Sequence, residues 1–512
     1  MTDDDSNGTT DNGPAGGSEP SVPRARRASG ARSRQPTYQF SISLGGSGDK
    51  DAYRKLADAE MEMASQPRQR TPFREGPWVL ILGFAAIILV GATLLKLPFA
   101  AAPGVHITWE EAIFTSTSAT TVTGLAVLNT ANDFSRAGQV IILLLLQVGG
   151  VGFIAFSVLL FRLIGRRITL QTRFIVQQSL GQQGASGVLN LALYVLGITL
   201  AIEAAGALLL WLRWRATLPD GEALWYAIFH AISSYCNAGF DLFSGTDQGV
   251  LFGYGTDWFT LTVMGLLITV GGFGITILYD LWSYPADRNL SINTRITIVL
   301  TVALTVVGFL IFMADASLHQ NVMSGKGVME RASVGLFTVV SARTAGLTIV
   351  PLEQLNDATQ MMILLWMFVG GAPASMAGGV TLSTVGVLVI SVFATVRGLN
   401  TASAFGRTIP FETIAKAVAV MTVSTLLVTA LTLFLSLRHE GNLFDVAFEV
   451  VSAFANAGYS LNFTGNLDSV GRYVIAFAMF WGRLGPLTIV VALAQRQQPT
   501  LIHYPEEPVI LG

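Results

Sequence analysis

The sequence is poor in charge and in the residues on which most catalytic sites depend. Only 12% of its 512 residues are charged, whereas a soluble domain carries roughly 25%. The single cysteine, Cys236, excludes an intrachain disulfide and a zinc site built from cysteines. A net charge of −2 gives no case for a nucleic-acid partner. The motifs G-x-S-x-G and H-E-x-x-H and a nucleotide-binding fingerprint are missing too, so the sequence does not favour an enzyme.

What the chain has instead is apolar sequence, 51% of its residues, arranged in long runs. Runs of about 18 or more residues with few charges predict membrane spans, so the sequence predicts a membrane protein. We count eight such runs, the sixth of them interrupted: Trp78–Leu95, Ile141–Leu160, Leu191–Leu212, Leu261–Leu281, Ile296–Phe312, Met361–Val396, Ile414–Leu435 and Val474–Ala494.

The first 74 residues differ from the rest because they are rich in Arg, Gly and Ser. This composition predicts a disordered tail. Arginine-rich segments favour the cytoplasmic face of a membrane, so the N-terminus is expected there. With eight spans the C-terminus is expected on the same side, in a multi-pass protein of the plasma membrane.

Four short segments resemble one another: Thr121–Gly124, Cys236–Gly239, Arg343–Gly346 and Ala455–Gly458. Each of these glycine segments follows a short amphipathic run and precedes a long apolar run, at nearly even spacing. Four copies around one axis can supply a ring of backbone carbonyls that replaces the water shell of an ion.

The amphipathic runs before the glycine segments are too short to cross a bilayer and too polar to face lipid. We predict them to be half-helices over about Thr108–Ala119, Gly221–Tyr235, Val328–Ala342 and Leu443–Phe454. The C-terminal end of each half-helix would point at the glycine turn, where the helix dipole stabilises a cation. An acidic residue near each start is interpreted as a helix cap: Glu110 and Glu111, Glu222, Glu330, and Asp445.

The predicted fold is therefore an all-α membrane protein. Four tandem helix–half-helix–helix repeats, with eight transmembrane helices, would surround a pseudo-fourfold pore. After the tail over 1–74, repeats 1 to 4 would cover 75–180, 181–290, 291–408 and 409–512, the last including the C-terminal tail.

The residues that could supply such a ring of carbonyls are those of the glycine segments, and the family resemblance described below implies that they form a filter. We expect Arg343 to turn its side chain towards an acid or towards carbonyls, Cys236 to be packed, and two asparagines to hydrogen-bond the scaffold behind the filter. The set is Thr121, Val122, Thr123, Gly124, Cys236, Asn237, Ala238, Gly239, Arg343, Thr344, Ala345, Gly346, Ala455, Asn456, Ala457 and Gly458.

The sixth apolar run is interrupted by residues that form helices poorly, from Gly370 to Gly379. A broken helix at membrane depth must line a cavity, although a kinked packing helix is the plain alternative. The segment, called here the 370–379 loop, consists of Gly370, Gly371, Ala372, Pro373, Ala374, Ser375, Met376, Ala377, Gly378 and Gly379.

Two ionisable residues lie inside apolar helices. For Arg483, in the last helix, the open interpretations are a hydrogen-bond latch on loop carbonyls, a positive barrier to cations, and an arginine that reaches the cytoplasmic interface. Glu203, in repeat 2, is expected to be a structural partner for a polar group without a role in transport.

From about residue 75 to the end, the chain resembles the Trk/Ktr/HKT superfamily of potassium transporters. The resemblance rests on the four glycine segments, the glycine-rich interruption in the third repeat, the Gly-Arg-Leu-Gly-Pro run at 482–486, and the short C-terminal tail. The end of that tail, Tyr504–Gly512, looks most like the bacterial KtrB branch. A serine in place of the first filter glycine accompanies sodium transport in plant relatives, so Gly124 favours potassium.

The resemblance implies gated, channel-like potassium uptake, with K⁺ at the filter carbonyls and the 370–379 loop as the gate facing Arg483. It also implies a homodimer on a separate cytoplasmic ring of RCK type. A nucleotide, ATP/ADP or NAD, would bind that ring, and this chain would hold no cofactor. Related loops are richer in serine and are followed by a lysine, where this chain has Val380 and Thr381. A coupled symporter of potassium with sodium or protons remains the alternative.

Overall fold

The computed structural model describes residues 76–151, 188–244, 255–318, 323–373 and 375–485. The predicted N-terminal tail, the C-terminal run Tyr504–Gly512 and Ala374 of the 370–379 loop lie outside the described residues. The predicted spans Ile141–Leu160 and Val474–Ala494 lie only partly within them.

The described chain is almost entirely helical, with one short hairpin of β1 (Ser403–Ala404) and β2 (Arg407–Thr408). Nine helices correspond to predicted spans or parts of them: α1 (Gly76–Lys96), α3 (Arg136–Val151), α4 (Val188–Trp214), α6 (Trp258–Asp287), α7 (Ile292–Leu318), α9 (Asp357–Phe368), α10 (Leu382–Val396), α11 (Phe411–Ser436) and α13 (Ser469–Leu484). Four correspond to predicted half-helices: α2 (Trp109–Thr121), α5 (Asp220–Tyr235), α8 (Val328–Ala342) and α12 (Leu443–Ala455).

Three segments within the described residues are long and apolar enough to cross a membrane: Leu196–Trp214 in α4, α7, and α11. A fourth is obtained if the two arms of α6 count as one span. Leu, Val, Ile and Ala dominate these helices, and many of their large side chains are exposed, as expected of surfaces that face lipid.

The half-helices are largely buried, and side-chain caps mark the start of α2 and α12, whereas α5 and α8 begin after Pro219 and Gly327 without one. Thr108 and Glu111 form a capping box at the start of α2, in which each side chain accepts from the other residue's backbone amide. Asn442 caps α12 by accepting from the amide of Phe444. Apart from Phe114, the buried residues of α2 are alanines and small hydroxyl residues, so neighbouring helices can approach closely.

The half-helices are arranged in a closed circle. Each packs against the helices before and after it in its own predicted repeat and against a helix of the preceding repeat. Thus α5 contacts α3, α8 contacts α6, α12 contacts α9, and α2 contacts α13, the last helix described. The contact between α2 and α13 brings the first and the fourth predicted repeats together.

The predicted span Leu261–Leu281 contains a break that the sequence analysis did not anticipate. Helix α6 is bent by 97° between Trp258–Gly274 and Thr276–Pro285, and Gly274 has φ 69° and ψ 170°. Only glycine adopts this conformation readily, so the helix breaks at that residue. In the sixth apolar run, no helix is assigned to the described residues between Phe368 of α9 and Leu382 of α10.

Candidate functional site

The glycines of the four segments meet in a ring. All four have positive φ: 89° at Gly124, 71° at Gly239, 63° at Gly346 and 82° at Gly458. A Cβ atom on any of them would lie under 3.0 Å from the carbonyl oxygen of the residue before the next glycine, in the order Ala238, Ala345, Ala457 and Thr123. The glycines are therefore required both by their backbone conformation and by the approach of the neighbouring segment.

Backbone hydrogen bonds hold each segment on the end of its half-helix. The amides of Thr123, Ala238 and Ala457 donate to carbonyls five residues upstream, at 2.8, 2.8 and 2.9 Å. In the third segment the corresponding bond spans four residues instead of five, from Ala345 N to Ser341 O at 2.9 Å. The peptide units before the glycines are thus oriented by main-chain bonds, whatever side chains they carry.

Two asparagines link neighbouring segments, and Asn456 also binds the helix α13 behind its segment. Asn237 Nδ2 donates to Thr344 Oγ1 at 3.0 Å, which joins the second segment to the third. Asn456 Nδ2 donates to Thr123 Oγ1 at 2.8 Å, which joins the fourth segment to the first, and to Met479 O at 2.9 Å. Both asparagines have positive φ, a conformation that asparagine tolerates better than most residues.

A cavity of about 560 Å³ lies on one side of the ring. All four glycines border it, as do the loops that follow them. Two carboxylates, Asp241 and Glu353, belong to its lining. Their negative charge favours cations at this mouth of the ring.

On the other side of the ring, glycines of the following helices touch the ends of three half-helices. A Cβ on Gly149, Gly271 or Gly482 would collide with the carbonyl of Thr120, Tyr235 or Phe454, respectively. Gly370 follows its segment glycine at the same spacing as Gly482 does, but its nearest neighbour is Gly378 O of the 370–379 loop. The third predicted repeat thus places the loop where the others place a helix.

The loop is fastened at the break in α6. Ala372 N donates to Gly272 O at 3.0 Å and Met376 N to Gly271 O at 3.4 Å. These two carbonyls precede Gly274, where the helix loses its regular geometry. The loop therefore supplies donors that a continuous helix would have provided itself. At the other end, Gly370 N donates to Val380 O at 2.9 Å, and Leu382 N donates to Gly371 O at the same distance.

Arg483 joins the loop to α3. Its Nη1 donates to Met376 O in the loop, and its Nη2 donates to Gly149 O and, at 3.2 Å, to Gly150 O. One guanidinium thus binds carbonyls of two separate elements, which is the geometry of a latch. Gly379 N adds a bond of 3.4 Å to Gly482 O, beside the arginine.

Behind the second segment lies a small polar cluster. Glu203, buried in α4, accepts from Gln147 Nε2 at 2.7 Å and lies 3.8 Å from Cys236 Sγ. Cys236 is fully buried, as expected of a packed residue, and a Cβ on Gly150 would touch its sulfur. Glu203 is therefore a partner of polar groups, in agreement with its expected structural role.

Arg343 lacks the partner that we expected. Its side chain is 7% exposed, and its guanidinium makes no hydrogen bond or ion pair to the residues that the structure describes. The expected acid or carbonyl partner is thus not found in this part of the chain. Neither did the sequence reveal that α6 breaks; Gly271-Gly272 and Gly274, three glycines in four residues, were the available signal.

Both the sequence and the fold of this chain are similar to those of known proteins. The family model described as "TrkH: Cation transport protein" matches residues 79–504. The chain is 33% identical over 453 residues to the potassium/sodium uptake protein NtpJ of Enterococcus hirae, covering 87% of this chain and 99% of that protein. It is 34% identical over 438 residues to the Ktr system potassium uptake protein B of Bacillus subtilis, covering 85% and 96%.

A solved structure shares the fold. The crystal structure of the potassium transporter TrkH from Vibrio parahaemolyticus matches with a TM-score of 0.66 and 19% sequence identity. The match covers 87% of this chain and 89% of that one.

Proposed function

Because the chain belongs to the TrkH family of cation transport proteins and is KtrB-like within the Trk/Ktr superfamily, we propose that it takes up potassium through a pore at the ring of glycines. The observation that carries the proposal is the closed contact of four glycines with four carbonyls. Carbonyl oxygens replace the hydration shell of K⁺, and a ring held by main-chain bonds keeps them at fixed separation. The half-helix ends add a favourable dipole.

The pore would consist of four repeats with the boundaries predicted from the sequence. The circular packing of the half-helices supports this division, because each contacts the helices around it in an equivalent way. The cavity bordered by Asp241 and Glu353 would be the outer mouth, where carboxylates concentrate cations.

We propose further that the 370–379 loop is the gate and that Arg483 is its latch. The loop lies beneath the ring, on the side away from the cavity, and its backbone is tied to α6, α10 and α13. Arg483 binds Met376 O and Gly149 O, so releasing it would free the loop from α3. These contacts favour a latch over an electrostatic barrier to cations. A barrier needs only the positive charge of Arg483, whereas a latch also needs its hydrogen bonds to the loop and to α3.

The remaining features of the proposal rest on the resemblance to the family. The chain would be a homodimer in the plasma membrane, with both termini in the cytoplasm. A cytoplasmic ring that binds a nucleotide would regulate it, and exposed basic residues near the β1–β2 hairpin, Arg397, Arg407 and Lys416, offer contacts. Copurification of the ring, weakened by reversing these charges, would test the contact.

The deciding experiment is a reversal potential for purified protein in liposomes under opposing potassium and sodium gradients. A potential that follows the potassium gradient is the expected result. A potential set by both ions at a fixed stoichiometry would contradict the pore and favour coupled symport. Absence of any potassium-dependent current in folded protein would also refute the proposal.

A further inference from the structure

The half-helices differ at one buried position, nine residues before each segment glycine. Repeats 1 and 3 have Thr115 and Phe337 there, whereas repeats 2 and 4 have the ionisable residues His230 and Glu449. Both ionisable side chains are completely buried, at 0% exposure. Burying such groups is unfavourable unless they are well bonded, so their partners indicate what they hold.

In repeat 2, His230 ties the half-helix to the chain that leaves the glycine segment. Its Nδ1 lies 2.8 Å from Tyr226 O, one turn earlier, and its Nε2 lies 2.7 Å from Asp241 Oδ1. Asp241 follows Gly239 by two residues and accepts from the amides of Phe243 and Ser244, at 2.9 and 2.8 Å. The imidazole therefore fixes a compact turn directly beyond the ring.

In repeat 4, Glu449 makes the same connection with different chemistry. Its Oε2 accepts from Ser460 Oγ at 2.7 Å, and its Oε1 accepts from Thr464 Oγ1. Ser460 follows Gly458 by two residues, as Asp241 follows Gly239. The two links thus join equivalent positions, although one uses an imidazole with a carboxylate and the other a carboxyl with hydroxyls.

Repeats 1 and 3 do not make this link. Thr115 Oγ1 has no hydrogen-bond partner among the described residues, and Phe337 offers no polar atom. The positions opposite them are Ala126 and Thr348. The links therefore occur only in repeats 2 and 4, which lie across the ring from each other, since each segment contacts the next in order.

Repeats 2 and 4 also contain the asparagines that reach the neighbouring segments, from Asn237 to Thr344 and from Asn456 to Thr123. A restraint on repeats 2 and 4 is thereby passed to repeats 3 and 1. We propose that His230 and Glu449 are positioning residues that hold the exits of two opposite segments and so maintain the carbonyl spacing on which potassium selectivity depends. This inference rests on the proposed function, because selectivity presupposes the pore.

The test is the K⁺/Na⁺ permeability ratio, from reversal potentials in liposomes, for variants that keep volume but remove the bonds. Glu449→Met and His230→Phe are each expected to lower the ratio at least about fivefold, roughly the net effect of losing one ordinary hydrogen bond. Ser460→Ala, which removes the opposite half of the link, should lower it in the same direction. Glu449→Gln keeps an acceptor for Ser460 and should restore the ratio to within about twofold of the parent value.

Matched controls come from the same position in the other repeats. Thr115→Val and Phe337→Leu should leave the ratio within about twofold of the parent value, because neither removes a link across the segment exit. Size-exclusion profiles and unfolding midpoints report whether each variant folds. If a Glu449 or His230 variant does not fold, the permeability ratio of Ser460→Ala tests the inference instead.

An unchanged ratio in the folded link variants would overturn the inference, and so would equal losses in the two controls. A parent protein whose potential does not follow potassium would overturn the proposed function itself, and the inference with it. A potassium-selective parent with unaffected variants would refute the positioning role alone, so the two failures are distinguishable.

Discussion

The ring of glycine segments repeats one contact four times, whereas the layer beneath it repeats its contact three times and then departs from it. In the ring, each glycine meets the carbonyl before the next glycine. In the layer beneath, Gly149, Gly271 and Gly482 meet half-helix carbonyls, but Gly370 meets the 370–379 loop.

Under the proposed function, this difference assigns ion recognition to the ring and control to the 370–379 loop. Coordinating a spherical ion favours equivalent oxygens, and main-chain geometry supplies them independently of side-chain identity. Opening and closing instead requires an element with two arrangements, and one irregular repeat can provide it. The predictions below remove either the irregular element or the regular ring.

The largest effect, on basal potassium flux, is expected from shortening the 370–379 loop. Deleting residues 373–376 removes the carbonyl of Met376, which Arg483 binds, and the amide of Met376, which donates to Gly271 O. Basal potassium flux in liposomes should rise by about tenfold or more, because the closed arrangement loses its bonds. Ser375→Ala, which removes only the hydroxyl that accepts from Ala377 N, is the control and should change flux little. Unchanged flux in the folded deletion variant would remove the loop from consideration as the gate.

The next effect concerns the latch. Arg483→Gln loses the charge-assisted bonds to the loop and to α3, so basal flux should rise several-fold. Arg483→Lys keeps the charge without the planar fork and should behave like the glutamine variant if the bonds matter. A lysine variant indistinguishable from the parent would instead favour a positive barrier. Arg472→Gln, at the other end of the same helix, breaks only the ion pair with Glu110 and should have almost no effect.

A smaller but more specific effect is expected in the ring. Gly124→Ser introduces a Cβ against Ala238 O at a residue with φ 89°, so the ring must distort and the K⁺/Na⁺ permeability ratio should fall about fivefold. Gly104→Ser tests the conformational strain alone, because Gly104 has φ 84° and nothing within 4 Å of an added Cβ. An equal loss of selectivity in both variants would mean that strain, and not the contact between segments, is responsible.

The smallest effect, on stability, is expected at Asp468 at the start of α13, away from the ring. Bonds from Arg438 and from the amide of Gly471 lower the pKa of Asp468, the cap of α13, to about 2. A carboxylate with a depressed pKa stabilises the fold above its unfolded pKa, near 4, and this contribution disappears as the pH falls towards 2. The unfolding midpoint should therefore drop between pH 4 and pH 2, and Asp468→Asn should flatten that drop. A variant with the same acid dependence as the parent would show that other carboxylates dominate.

Most of the helical framework could be predicted from the sequence because it follows from local patterns. The half-helices begin and end within two residues of their predicted bounds, since acids, caps and glycines mark both ends. The break at Gly274 was missed because a run of apolar residues looks the same in a straight and in a bent helix. The partner of Arg343 was predicted on general grounds of burial and is not found among the described residues.

It follows from the sequence alone that the chain meets a membrane, that four glycine segments recur, and that poor helix formers interrupt the sixth apolar run. These properties depend on hydrophobicity, on glycine's freedom at positive φ, and on poor helix formers, all of which are local. The folded chain alone shows that His230 bonds to Asp241 and Glu449 to Ser460. It also shows that Asn456 reaches Thr123 and that Arg483 binds both Met376 and Gly149. These contacts join residues far apart in the chain, and no local pattern encodes which distant groups a fold brings together.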